Sequence, residues 1–186
     1  MEHLNFVLSS NERTQASITN VLIPAYDNNK NGLVFTLEME TTLNDSLTIN
    51  TDGNVANSLK KNLNRAITIM SNLYSSWEIL KKFKYNLRSM ENQFRVMDAR
   101  SAGVPLCIAL LNVVRAFNRM EQIQHITGTG ILRIDGTFEK SFLEEEKKKA
   151  SSQIMESRFI NSQICKHVFD LADLMNSQQK EKNNEI

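Results

Sequence analysis

The chain has 186 residues and a mass of 21.3 kDa. That is the size of one globular domain, since single cores usually close at about 100–200 residues, and it excludes a two-domain multistep enzyme. Its 22 Lys and Arg against 21 Asp and Glu leave a formal charge of +1, so no long-range field draws in nucleic acid, while 41% hydrophobic and 7% aromatic residues suffice for a core and exclude a disordered chain.

Short runs rich in β-branched and aromatic residues dominate the N-terminal part: His3–Leu8, Ser17–Ile23, Leu33–Met39 and Leu47–Ile49. Asn, Asp and Gly separate them, notably in the turn-prone Asp27–Gly32, and the segment reads as a small antiparallel sheet. From Gly53 the period changes: Val55, Leu59, Leu63, Ala66, Met70 and Leu73 fall on one helical face at steps of three and four. Trp77–Phe83 fits either helix or strand, and Phe83–Met90 alternates as a strand before the polar loop Glu91–Arg100. A helix over Ala102–Met120 is apolar nearly all round and must be central in the core. His125–Ile134, the turn Asp135-Gly136 and Thr137-Phe138 read as a hairpin, followed by a third helix over Leu143–Met155. A short strand at Gln163–His167 and a helix over Asp170–Met175 close the domain. The order predicts an α+β fold with small sheets against three main helices, one domain over 1–175 and a polar, frayed tail over 176–186.

Cys107 and Cys165 have no Cys or His neighbours at metal-ligand spacing and are expected reduced and buried. Met1–Asn5 lacks the basic start of a secretory signal, and Val104–Leu111 is too short to span a bilayer, so the expected compartment is the cytoplasm, with no membrane anchor. P-loop, GxGxxG, HExxH and GxSxG motifs are absent, and the scattered His3, His125 and His167 suggest no triad. Neither a metal nor a cofactor is expected.

Two places carry chemistry. In Asp98-Ala99-Arg100-Ser101-Ala102-Gly103 a polar loop delivers a serine to the start of the most apolar helix, where backbone N–H groups can meet a developing oxyanion. Ser101 as an ordinary helix N-cap is the alternative. In Glu144–Lys149 the helical period places Lys147 on the stripe of Leu143, Ala150 and Ile154, while Lys148 and Lys149 rotate outward. A lysine so placed either snorkels or is desolvated, and desolvation lowers its pKa toward that of a general base. Together they suggest a serine whose proton passes to a neutral lysine.

At these residues the chain resembles the proteolytic domain of the Lon peptidases. Asp98–Gly103, continuing into Cys107–Leu111, is similar to the family's Asp-Gly-Pro-Ser-Ala-Gly segment and the helix after it, with the nucleophile on Ser101. Thr127-Gly128, Asp135-Gly136, Phe142-Leu143 and Glu146-Lys147 resemble the Thr-Gly strand, the hairpin glycine and the helix of the general-base lysine, and Ser46–Val55 with Ser58 is similar to the opening strand and helix. The likeness covers Thr14–Met175, with Ala99-Arg100 in place of Gly-Pro and Lys140-Ser141-Phe142 in place of a Gly-Gly turn. It implies a serine endopeptidase with Ser101 and Lys147 catalytic, and because the chain carries no Walker motif, the expected activity is ATP-independent, on unfolded or flexible protein segments. Thr127 would orient the lysine, and Asp98 and Ala102 would support the nucleophile. It also implies a protein or peptide substrate, a separate ATPase or unfoldase as partner, and homo-oligomeric rings. The alternative is a Lon-fold binding or regulatory module without activity.

Overall fold

In the computed structural model the described residues are 16–52, 55, 57–90, 99–154 and 158–184, with side chains through 178. The expected strand His3–Leu8 and most of the expected loop Glu91–Arg100 lie outside them. The fold is α+β, as the element order predicts, with four α-helices among the described residues, matching the three main helices and the C-terminal one expected.

Strand β1 (Ser17–Tyr26) pairs antiparallel with β2 (Gly32–Leu43), from Ser17 opposite Thr41 to Tyr26 opposite Gly32. Asp27 builds the turn between them, its carboxylate accepting from the N–H groups of Asn29 and Asn31, each at 2.8 Å, and from Asn31 Nδ2 at 3.0 Å. These bonds, those of Asn31 foremost, hold the Asp27 carboxyl below its ordinary pKa. The sheet order is β1-β2-β4-β3, where β3 is Thr48–Thr51 and β4 is Phe83–Ser89. Alternation puts Val21, Ile23, Leu37, Met39, Tyr85 and Leu87 into the core. On the opposite face Asn50, Asn86 and Glu40 form a hydrogen-bonded row beside the ion pair of Arg88 and Glu38.

The sheet is not wholly antiparallel as expected, because β3 runs parallel to β4. A parallel partner requires a crossover, and here it is helix α1 (Asn57–Leu73) followed by a 3-10 helix over Ser75–Lys82, which resolves the ambiguous Trp77–Phe83 segment. Helix α2 (Gly103–Phe117) is buried almost all round and packs on β1, as its apolar sequence requires. Beyond it lie β5 (Ile126–Gly128), β6 (Ile131–Leu132), β7 (Phe138–Glu139), α3 (Glu144–Ile154), β8 (Arg158–Ile160) and α4 (Val168–Asn184). β6 and β7 form the expected hairpin around Gly136, whose φ of 87° a side chain would resist.

Two expectations for the C-terminal part need correction. The strand is β8, parallel to β5, and Gln163–His167 is not one: Asn161 folds the chain into a turn by accepting from the N–H groups of Gln163 and Ile164. Nor does the helix stop at Met175. Asp170 caps α4 by accepting from the N–H groups of Lys166 and His167, and the Gln, Lys and Glu expected to fray are good helix formers that carry it to Asn184.

Candidate active site

Lys147 is fully buried, with 0% of its surface exposed, whereas Lys148 and Lys149 face solvent. The side chain does not snorkel. Its stripe is Glu144, Lys147, Ala150 and Ser151, and Ile154, expected on it, is 56% exposed one turn further on. Lys147 Nζ lies 3.3 Å from Ser141 Oγ and 3.5 Å from Thr129 Oγ1, and these two hydroxyls are 2.8 Å apart. The Tyr26 ring centroid is 5.3 Å from Nζ, close enough for the ring's negative face to attract an ammonium. Burying an amine is expensive unless polar groups surround it, so a cradle of two hydroxyls and a ring face is what a lysine at this depth requires.

Ser141 is itself pinned. Its N–H donates to Glu144 Oε1 at 2.9 Å, and the other oxygen of that carboxylate accepts from Asn161 Nδ2 at 3.4 Å. Glu144 is only 6% exposed, so one carboxylate fixes both the start of α3 and the loop that presents the Ser141 hydroxyl.

Ser101 lies in the turn before α2. The residue that caps α2 is Ala102, with no side-chain hydrogen bond, so Ser101 is not the N-cap and its hydroxyl is not consumed in capping. Backbone bonds fasten this turn to Gly130: Gly130 N–H donates to Ser101 O and Gly103 N–H donates to Gly130 O, both at 3.0 Å. The contact is so close that a Cβ on Gly103 would stand 2.6 Å from Gly130 O, which explains the glycine there. Thr129 Oγ1 is 3.2 Å from the Ser101 carbonyl oxygen. One threonine hydroxyl is thus within reach of both the backbone of Ser101 and the nitrogen of Lys147, although among the described residues no hydrogen bond joins Ser101 Oγ to Lys147 Nζ.

The other expected site residues fare differently. Asp98 lies outside the described residues. Ala102 is beside Ser101, but its N–H donates to Ala99 O at 3.0 Å and must leave that turn before it can meet an oxyanion. Thr127 is not at the lysine: its hydroxyl donates to Leu22 O at 2.8 Å and ties β5 to β1. The threonine that reaches Lys147 is Thr129, two residues on. Thr127-Gly128-Thr129-Gly130 repeats the same dipeptide, so spacing alone offers both registers. Ser141 and Tyr26 were not legible either, the one lying in a segment unlike the family pattern and the other far upstream on β1.

His125 and His167 do not converge on these residues. His167 is held on the hairpin turn by Asp135 O at 2.8 Å and stacks on Phe169. Among the described residues no cluster of His, Cys, Asp and Glu could hold a metal ion, and no helix is long and apolar enough to cross a membrane. No protein-family model matches the chain, and no curated protein matches it.

Proposed function

We propose that the chain is a Lon-like serine endopeptidase that hydrolyses peptide bonds in unfolded or flexible protein segments without ATP. The observation that carries this reading is the fully buried Lys147, whose Nζ shares the Thr129 hydroxyl with the backbone of Ser101. In the reaction Ser101 Oγ attacks the scissile carbonyl carbon as its proton passes to the neutral amine of Lys147. Collapse of the tetrahedral adduct expels the substrate amine, which takes that proton from the Lys147 ammonium. Water, deprotonated by the same amine, then adds to the acyl carbon, and collapse of that adduct breaks the bond to Ser101 Oγ, which takes the proton back from the Lys147 ammonium as the acid product leaves. Thr129 and Ser141 steer the lysine nitrogen through these transfers, and the N–H groups of Ser101 and Ala102 supply the oxyanion donors once the turn opens. The free, buried Cys107 and Cys165 fit a cytoplasmic setting. Ring assembly and a separate unfoldase are the partners this reading implies.

A second reading, a binding or regulatory module on the same fold, is favoured by one specific arrangement: the Ala102 N–H is committed to Ala99 O, and no hydrogen bond joins Ser101 Oγ to Lys147 Nζ among the described residues. Digestion of an unfolded protein by wild type, Ser101→Ala and Lys147→Met, without ATP, separates the two. The peptidase loses at least about 10³-fold in rate with Ser101→Ala and about 10²–10⁴-fold with Lys147→Met. Equal cleavage by all three, or none by any across a broad substrate panel, establishes the module instead.

A further inference from the structure

The turn between β1 and β2 carries Asn31-Gly32, and no other asparagine of the sequence is followed by glycine. The glycine is imposed from outside the turn, because a Cβ on Gly32 would run into the Glu146 carbonyl of α3. Without a Cβ, glycine lets its backbone nitrogen swing toward the preceding side-chain amide, and asparagine before glycine is for that reason the pair most prone to cyclise. The ladder keeps that nitrogen available. Asp27 N–H donates to Asn31 O at 3.0 Å, and Lys30, at a φ of 65°, closes the turn between them, so Asp27 and Asn31 sit at a hydrogen-bonded rung. The two kinds of rung alternate along an antiparallel pair. The next one, Tyr26 opposite Gly32, is therefore non-hydrogen-bonded, and the Gly32 N–H points out of the ladder. Asn31 is exposed, and its side chain is held through Nδ2, which donates to Asp27 Oδ2 at 3.0 Å.

We propose that Asn31 is a self-modification site, at which the Gly32 nitrogen attacks Asn31 Cγ and water completes a deamidation that displaces α3. The Gly32 nitrogen gives its proton to hydroxide and bonds to Cγ. The Cγ–Nδ2 bond then breaks, and Nδ2, protonated by water, leaves as ammonia, which regenerates the hydroxide and closes a cyclic imide. Water opens the imide at either carbonyl, leaving aspartate or isoaspartate at position 31. Both products lose the amide that donates to Asp27 and set a second carboxylate against it, where the two repel. Isoaspartate also routes the main chain through the side-chain carboxyl and so adds one carbon to it, one residue before the Gly32 rung. That rung holds the α3 backbone against Gly32 and the Tyr26 ring over Lys147 Nζ, so the added length pushes apart the parts that set the lysine. The modification needs no peptidase activity, and only its effect on cleavage rests on the peptidase reading.

The folded full chain is incubated at neutral pH and physiological temperature, and peptide mapping by mass spectrometry follows every asparagine. Asn31 should convert at least about tenfold faster than any other, with isoaspartate at that position labelled by an isoaspartyl methyltransferase. Conversion of Asn31 no faster than that of the other asparagines overturns the site. Hydrogen exchange on the purified isoaspartate chain should show α3 amides exchanging faster than in the unmodified protein. Asn31→Asp, which adds the charge without lengthening the main chain, should keep them close to normal. Unchanged exchange in the isoaspartate chain overturns the displacement of α3. Cleavage of an unfolded protein is measured alongside: it should fall in step with isoaspartate content in wild type and hold in Asn31→Gln, whose longer amide cyclises far more slowly. Circular dichroism checks that this variant folds. An equal decline in both proteins overturns the effect on the lysine. Absence of cleavage from the start sinks the peptidase instead, and leaves the modification standing on its mass and exchange readouts.

Discussion

Thr127 and Thr129 carry identical side chains two positions apart, and their surroundings give them different work. Thr127 Oγ1 bonds to a strand carbonyl, Leu22 O, whereas Thr129 Oγ1 is within 3.5 Å of Lys147 Nζ, 2.8 Å of Ser141 Oγ and 3.2 Å of Ser101 O. Substitution by valine keeps each shape and removes only the hydroxyl. Thr127→Val should leave the Leu22 carbonyl unpartnered by that hydroxyl and lower unfolding free energy by about 1–2 kcal/mol, with kcat little changed. Thr129→Val should lower kcat roughly tenfold or more at similar stability, because the lysine loses one of the two hydroxyls that place its nitrogen. Denaturant unfolding and peptide cleavage measured side by side decide the matter, and the reverse pattern would return the orienting role to Thr127. On the proposed peptidase reading only a neutral Lys147 amine would accept the Ser101 proton, so kcat/KM is expected to rise with pH, and a flat profile from about pH 6 to about pH 10 would contradict that reading. Lys147 was legible in the sequence because the helical period alone turns it inward from its two neighbours. Its partners were not, since they come from a repeated dipeptide, an atypical loop and a distant strand, where only folding decides what meets what.

Most elements were legible where local chemistry decides them. Periodicity located α1, α2 and α3, and turn residues located the β1–β2 and β6–β7 connections. Reading failed where the partner lies elsewhere in the chain: β3 carries no mark of its parallel pairing with β4, and the polar end of α4 carries no apolar stripe to announce a helix. The two legible turns make a prediction of their own. Asp27 is held below its ordinary pKa chiefly by Asn31, and Asp135 chiefly by the Thr137 hydroxyl and N–H, at 2.7 and 3.0 Å. A carboxyl whose pKa is lower folded than unfolded stabilises the fold above the unfolded value, near 3.9, and that contribution vanishes as pH falls through the folded value. Unfolding midpoints of wild type should therefore fall below about pH 4, and Asp27→Asn with Asp135→Asn should flatten that acid limb. An acid limb of unchanged slope in the double variant would show that carboxylates elsewhere set it.

The cradle around Lys147 depends on how two separately built parts of the molecule meet. Tyr26 ends β1 and Gly32 begins β2, and the two are opposite one another in the ladder. The Tyr26 ring stands over Lys147 Nζ, and the space a Cβ would take on Gly32 is already filled by α3, whose Glu146 carbonyl oxygen would be 2.1 Å away. The turn end of this hairpin therefore seats α3 at backbone distance, one residue from Lys147. Phe142, 59% exposed, packs its ring edge against Tyr26 at 5.6 Å and extends the same contact along the loop before α3. A side chain on Gly32 cannot be absorbed by a rotamer change, because the atom it meets is backbone. Gly32→Ala should force α3 away from the sheet, at about 1–3 kcal/mol in stability, and carry the lysine nitrogen away from the serine turn, which α2 and Gly130 hold independently. Displacements of even 1 Å in reacting groups reduce rates by about 10²-fold, so activity should fall far more than the loss of folded protein explains. Measuring cleavage at a temperature where circular dichroism shows Gly32→Ala fully folded separates the two effects. Near-normal activity under that condition would mean that the hairpin does not set the position of Lys147, and that the Tyr26 ring is only a cover over it.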